Sequence, residues 1–596
     1  MRRFAYGLGG LAGIGVLALV ASCSGKGGNG FGDDDGGDGG GYDLDGSVFN
    51  TDGGVGEGGG CLACSADLHN VLDCDGNLVK ACPADQGCGP GGQCVPACDS
   101  ARANKSTVGC DYYAVNPGSF PEFRGSCYAV YVANTWSSDV SIDVTYGGQK
   151  LNVAGLARIP SGSGANITYA PLPNGKLPAG KFAILFLGDA TAITQPIFPS
   201  TCPQGVTPGV TSEDTASGNT ELIKAFRITT SAPVQAFDIF PYGGAQSYGS
   251  SATLLIPVSA WGTNYLGVHG YQKSQAHGGD HLFLQVAADE DGTEVTISPT
   301  AAIVGGTGVA ATGANQPHKY NLNKGQVVQF LQDGDLSGSP IQSNKPVGLW
   351  GGNTCFNIET TDWACDSAHQ QVPPIAALGW QYVAVRHRDR ANQPENVPWR
   401  IMGAVDGTQL TYLPSTPPGA PLTINSRQVI KFNTPGPFVV KSQDDKHPFY
   451  VASHMLGAGA ATSGGTGDPE WVNVIPPQQY LDKYTFMTDP TMSFTNIVLV
   501  RGKAKDNTYK DVKLDCQGGV VTGWQPVSGS DYQFTRVDLV ANGQGQRGCD
   551  NGLHEVKSDA PFGLTVWGWD VTVSYGYPGG ASVLPINTVI VPPTPK

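Results

Sequence analysis

Along most of this chain, hydrophobic and polar positions alternate in short runs, and no long window carries the three-to-four spacing of an amphipathic helix. TEVTI (Thr293 to Ile297) and TQLTY (Thr408 to Tyr412) alternate with a period of two, which predicts half-buried strands. Each follows an Asp-Gly pair, the chemistry of a tight turn feeding a strand. QVVQF (Gln326 to Phe330) is more continuously apolar and suits a strand packed on both faces or at a bulge. Two stretches depart from this pattern. Leu8 to Ala21 is almost wholly apolar, and residues 24–60 hold few apolar side chains among Gly and Asp.

The strand runs recur. One mark is a strand that ends near a proline: ITTSAPVQAF (Pro233), IQSNKPVGLW (Pro346), VKSQDDKHPFYVA (Pro448) and VKSDAPFGLTVW (Pro561), 102 to 113 residues apart. Proline has no ladder donor to lose at a strand entrance or a corner between sheets. A second mark places a tyrosine eight residues after a proline: Pro257 and Tyr265, Pro374 and Tyr382, Pro476 and Tyr484. The Asp-Gly strands and the pair KGQVVQF and SRQVIKF add further marks in the same order. Such order defines an internal repeat. The units run over 111–245, 246–371, 372–472 and 473–580, with a C-terminal tail at 581–596. At about 100 residues, each has the size of a β-sandwich domain.

Composition fits that reading. Gly (84) and Pro (42) are abundant among 596 residues and charged side chains make up 14%, as short strands and turns require. The expected class is all-β, with tandem antiparallel β-sandwich-like modules; a β-propeller is the alternative, since radial repetition also spaces strands evenly.

The chain opens with Arg2 and Arg3, the apolar stretch, then Ala21-Ser22-Cys23, the order of a secretory signal. The small-small-Cys ending resembles the lipobox of bacterial lipoproteins. That resemblance implies cleavage after residue 22, acylation of Cys23, and, with Ser24 following, an outer-membrane destination. Residues 23–60 then form a lipidated linker, with eight acids against Lys26. No basic stripe suits a phosphate backbone, which argues against nucleic acid.

Of fifteen cysteines, lipidation of Cys23 leaves an even set, as disulfides in an exported chain require. Eight lie within 61–110 and staple a small module with little core of its own. Cys61-x-x-Cys64 has zinc-ligand spacing, but no second such pair follows. The remaining six suggest Cys127 with Cys202, Cys355 with Cys365, and Cys516 with Cys549.

VGCDYYAV (Val108 to Val115), CYAVYVANTW (Cys127 to Trp136), LLIPVSAWGTNY, IQSNKPVGLWGGNTC, CDSAHQQVPPIAALGWQYVAVRHRDR and SYGYPGG (Ser574 to Gly580) together resemble the N-terminal domain family of IgG Fc-binding protein. The resemblance covers most of 108–580. It implies an extracellular, β-rich, non-catalytic binding module, and does not by itself imply an immunoglobulin ligand.

Motifs for chemistry are few. Gly-x-Ser-x-Gly, His-Glu-x-x-His and the phosphate-binding loop are missing, so no enzyme, cofactor or metal is expected. His269, His277, Asp280 and His281 cluster, but at the spacing of a polar hairpin loop rather than a defined metal site. Arg386, Arg388 and Arg390, with Arg400 nearby, form the one basic cluster. On a strand they would share a face able to grip carboxylates or an acidic glycan, or would pair with acids such as those of Asp289-Glu290-Asp291. Trp567 and Trp569 also share a face by alternation, and suit either ligand stacking or packing between modules. The expectation is a surface lipoprotein, anchored by its lipid in the outer membrane, that binds an unidentified protein or glycan. A periplasmic envelope scaffold and, further off, a secreted hydrolase stand beside it.

Overall fold

In the computed structural model, which describes residues 62–73, 76–275, 278–358, 365–391 and 393–593, four long strand tracts organise the chain. They are Phe226–Phe240, Pro340–Phe356, the pair Phe438–Lys441 and Phe449–Met455, and Leu553–Asp570. Each changes partners at its repeated proline. Residues 226–230 pair with Val140–Tyr146, whereas 234–239 pair with Tyr128–Asn134. Residues 341–343 pair with Thr293–Ile297, then 347–353 with Leu282–Ala288. Around Pro448 and Pro561 the same exchange occurs, from 381–384 to 399–403 and from 512–514 to 494–501. One tract thus serves two layers. The proline sits where the ladder is interrupted, so its missing N–H costs nothing.

The result is a series of antiparallel, sandwich-like modules, not a propeller. Propeller blades are separate four-stranded sheets, whereas these sheets share bent tracts and exchange pieces across the repeat boundaries. Glu221–Lys224 pairs with Gln326–Gln332 of the second module, and Ser251–Leu254 pairs back onto Phe237–Phe240 of the first.

The tyrosines of the second mark hold each corner. Tyr265 Oη donates to the Val347 carbonyl (2.7 Å) and Tyr382 Oη to that of Phe449 (2.6 Å), while accepting from the Gly262 and Gly379 amides. Tyr484 bonds the Phe562 carbonyl and the Leu481 amide. Every accepting carbonyl belongs to the residue after the repeated proline. Tyr112 does the same for Val234 (2.6 Å), giving the first module a tyrosine that has no proline eight residues before it.

Neighbouring modules share their cores. Tyr113 and Phe226 lie in one cluster with Val327 and Trp350. Val286 and Leu349 pack with Met402 and Tyr450, and Val439 and Met455 with Val498 and Trp567. The fourth module then meets the first: Tyr131 stacks on Phe237, and Phe237 on Tyr577, each at 4.4 Å between centroids. The strands Ser251–Leu254 and Asp366–Val372 of the second unit, Glu470–Asn473 at the end of the third and Val573–Pro578 of the fourth pack in a closed cycle. Their links are made by side chains: Gln370 Nε2 donates to the carbonyls of Ala252 and Gly576, Asn473 Nδ2 to that of Gln371, and the Ser574 amide to Asp366.

Disulfides join Cys127 to Cys202, Cys355 to Cys365 and Cys516 to Cys549. In the cysteine-rich module Cys64 pairs with Cys88, so it is no zinc ligand; Cys82 pairs with Cys94 and Cys98 with Cys110. Cys61 and Cys74, the acylation candidate Cys23 and the linker 24–60 lie outside the described residues. Among the described residues no helix is long and apolar enough to cross a membrane.

Candidate binding cleft

Where the cysteine-rich module, the first module and the fourth module meet, a cleft of about 800 Å3 opens to solvent. That volume lies within the range of ligand pockets. One wall is apolar, built from Ile159, Pro160, Pro178 and Phe182. It exists because Ala157–Ser161 pairs with Phe182–Gly188 only at Ala157 and Arg158, after which the strands splay. The opposite wall is the ribbon of Leu481–Met487 and Leu553–Lys557, paired in antiparallel register. Strand alternation sends Leu481, Lys483 and Thr485 of one strand, and Leu553 and Glu555 of the other, into the cleft.

Charge is concentrated on that ribbon. Lys483 Nζ reaches Glu555 at 3.0 Å and, across the module boundary, Asp67 at 3.4 Å. Burial pushes the Asp67 carboxyl up, but hydrogen bonds from His69 and Ser65 and the charge of Lys483 outweigh this and hold it well below the usual carboxylate range. Burial disfavours the Lys483 ammonium, yet Asp67 and Glu555 raise its affinity for the proton. Asp482, the residue before Lys483, feels that cation too weakly to offset its surroundings. Burial, with the nearby Asp67 and Asp559 charges, pushes it up to about 6. The docking is completed by Trp136, whose Nε1 donates to the Ala84 carbonyl (2.7 Å) while its ring stacks on His69 at 4.2 Å.

Asp515, Cys516 and His554 cluster at one end of the cleft with the spacing of metal ligands. Cys516 is committed to its disulfide, and His554 already bonds Asp515 and the Asp550 carbonyl. At most two protein ligands remain, too few for a closed structural metal site.

The basic cluster lies elsewhere and is not a gripping face. Its segment leaves the strand Gln381–Ala384 before Arg386, so alternation does not apply. Arg386 bonds Asp389 and the carbonyls of Pro435 and His387. Arg388 takes Asp538 at 2.6 Å and lies over the Trp569 ring. Arg390 makes a two-pronged pair with Glu395, at 3.0 and 2.6 Å, with both side chains fully buried. A guanidinium that must be buried needs carboxylates at hand, and this segment carries its own in Asp389 and Glu395. The acids of 289–291 face different cations, among them Lys324 and Lys345. Trp567 and Trp569 are likewise buried, packed against His387 and Arg388 in the seam between the third and fourth modules. They are packing residues rather than a stacking platform.

Arg400 is buried, donating to the carbonyls of His269 and Gly270. His269 is fully buried and pushed down to about 4 by desolvation. His281 pairs with Asp333, and Asp280 caps the Ser274 and Cys355 amides. His277 lies outside the described residues. His369 meets Asp238 at 2.6 Å, but at about 1% exposure no substrate reaches the pair.

Sequence reasoning missed the cleft entirely. Asp67, Lys483 and Glu555 belong to no motif and are separated by up to several hundred residues.

Fold and site together define an all-β, multi-module protein whose accessible feature is an open cleft rather than a closed set of reacting groups. The family model for the IgGFc binding protein matches residues 251–568, more than half of the chain, and the chain belongs to that family. The human IgGFc-binding protein is 22% identical over 330 residues, which are 54% of this chain and 6% of the human protein. The chain therefore spans a small fraction of the length of the curated relative it matches. No solved structure matches.

Proposed function

We propose that this chain is an exported, lipid-anchored surface protein that binds a protein ligand without catalysis, through the cleft between its cysteine-rich, first and fourth modules. Membership of the IgGFc binding family over 251–568 carries the binding reading. The matched relative is named for immunoglobulin Fc binding; the ligand of this chain is a separate question, since the cleft is built partly from residues 66–182, upstream of the matched region. The anchor rests on the signal-like start and Cys23.

Protease treatment of intact cells tests location. Release of a large resistant body by cuts within 24–60, with Cys23→Ala freeing the protein from membranes, supports the surface reading. Protection until the outer membrane is breached overturns it and favours the envelope scaffold. Binding is tested by probing protein and glycan arrays with the full chain and with Thr485→Arg, which fills the cleft. A protein hit lost in the variant assigns the cleft; a hit that survives places the site elsewhere.

A further inference from the structure

The segment 581–593 has no regular secondary structure, yet it hydrogen-bonds residues at or near the opening of every module. At its start, Thr107 donates its amide to the Ala581 carbonyl (2.9 Å), and the Val583 amide donates to Lys105 (2.8 Å). These residues lie at the end of the cysteine-rich module and lead into Val108–Ala114, the strand that opens the first. The Ser582 amide donates to the Gln479 carbonyl, and Gln479 Nε2 returns a bond to Leu584, both in the opening turn of the fourth. Further on, the Ile586 amide donates to Ala376, and Asn587 Nδ2 donates to the carbonyls of Ile375 (2.8 Å) and Leu378 (2.9 Å), in the third. Finally Val591 exchanges two bonds with the Asn264 side chain (both 2.8 Å), on the strand Gly262–Leu266 that follows the opening turn of the second. Val583 and Val591 are buried, whereas Pro585, Thr588 and Ile590 face solvent.

These turns already contact one another in sequence. A Cβ added at Gly109 would stand 2.5 Å from Pro257, one at Gly262 2.5 Å from Pro374, and one at Gly379 2.3 Å from Pro476. Gly109 and Gly262 lie at the start of the strands Val108–Ala114 and Gly262–Leu266, Gly379 just after the turn Ile375–Ala377, and each proline begins the opening turn of the following module. The stack runs from first to fourth and has no proline left to close it. The strap is the element that joins the fourth turn to the first, through Gln479, Ser582 and Lys105.

We propose that 581–593 is a latch that couples the four modules. It belongs to no sheet, so it can leave without breaking a sheet's ladder, and its bonds at the openings of all four modules make that departure one event. Loosening any one turn weakens the hold on the other three. This goes beyond ligand binding and does not depend on it.

Hydrogen exchange read by mass spectrometry on the full-length protein tests the latch. In Asn587→Ala combined with Asn264→Ala, amides of the strap and those of 105–107, 376–379 and 479–481 should all exchange about tenfold faster or more, while Ile497–Leu499 in the sheet holds its rate. Faster exchange confined to the strap overturns the proposal. The unaltered protein supplies a second reading that needs no variant. In mild denaturant, strap and turn amides should share one opening free energy, below that of the sheets. Separate values for strap and turns overturn it.

Discussion

Lys483 ties the cysteine-rich module electrostatically to the fourth module, bridging Asp67 and Glu555. Lys483→Met keeps most of the stem but leaves Asp67 half-buried without its cation. We expect a loss of about 1–3 kcal/mol in denaturant unfolding, with faster proteolysis near Asp67. His387 shows the other side of burial. Desolvation between Trp567 and the arginines pushes it down to about 4, although Glu395 pulls the other way. The folded protein therefore keeps it neutral while the unfolded chain protonates it below about 6.5. Its contribution is complete above that pH and lost as pH falls towards 4. His387→Gln does not titrate, so the stability gap between parent and variant should narrow by up to about 3 kcal/mol from pH 7.5 to 4. A gap that stays constant would show that the fold leaves the ring's proton affinity unchanged.

At the scale of elements, the corner is the unit of construction: a proline where the ladder breaks, and a tyrosine that spans the break. Tyr382→Phe leaves the Phe449 carbonyl and the Gly379 amide without a buried partner, and should cost about 1–3 kcal/mol. The same change at Tyr265 should cost a similar amount, because the geometry repeats. Gly379→Ala acts between modules. Its new methyl group meets Pro476 ring carbons rather than a flexible side-chain end, so the turns must part, and a loss of about 1–3 kcal/mol is expected from overpacking.

Across the whole molecule, cores shared between neighbours make the modules interdependent. The tandem array is one closed body, not a string of independent binding heads. Calorimetry should show one cooperative transition for the sheets, and Gly379→Ala should move that transition as a whole rather than split off a shoulder. Two resolved transitions in the parent would mean that the shared clusters contribute little. A closed body also explains where a ligand site can form: at a junction, where the splay of Ala157–Ser161 meets the ribbon of the fourth module.

The sequence by itself determined the all-β class, because period-two runs bounded by turn residues dictate local strands whatever their partners. It also determined the repeat, since the same corner needs the same proline and tyrosine each time, and it suggested the pairing of the six later cysteines that the structure makes. Tertiary structure alone decided the rest. Tyr112 performs the corner role without the preceding proline, and the pairing of 221–224 and 251–254 crosses the repeat boundaries. The arginines and tryptophans of the third and fourth modules face inward, because their segment supplies carboxylates that neutralise them in a seam no local pattern announces. The cleft and the strap depend on residues hundreds of positions apart, and spacing along a chain carries no record of which surfaces will meet when a ring closes.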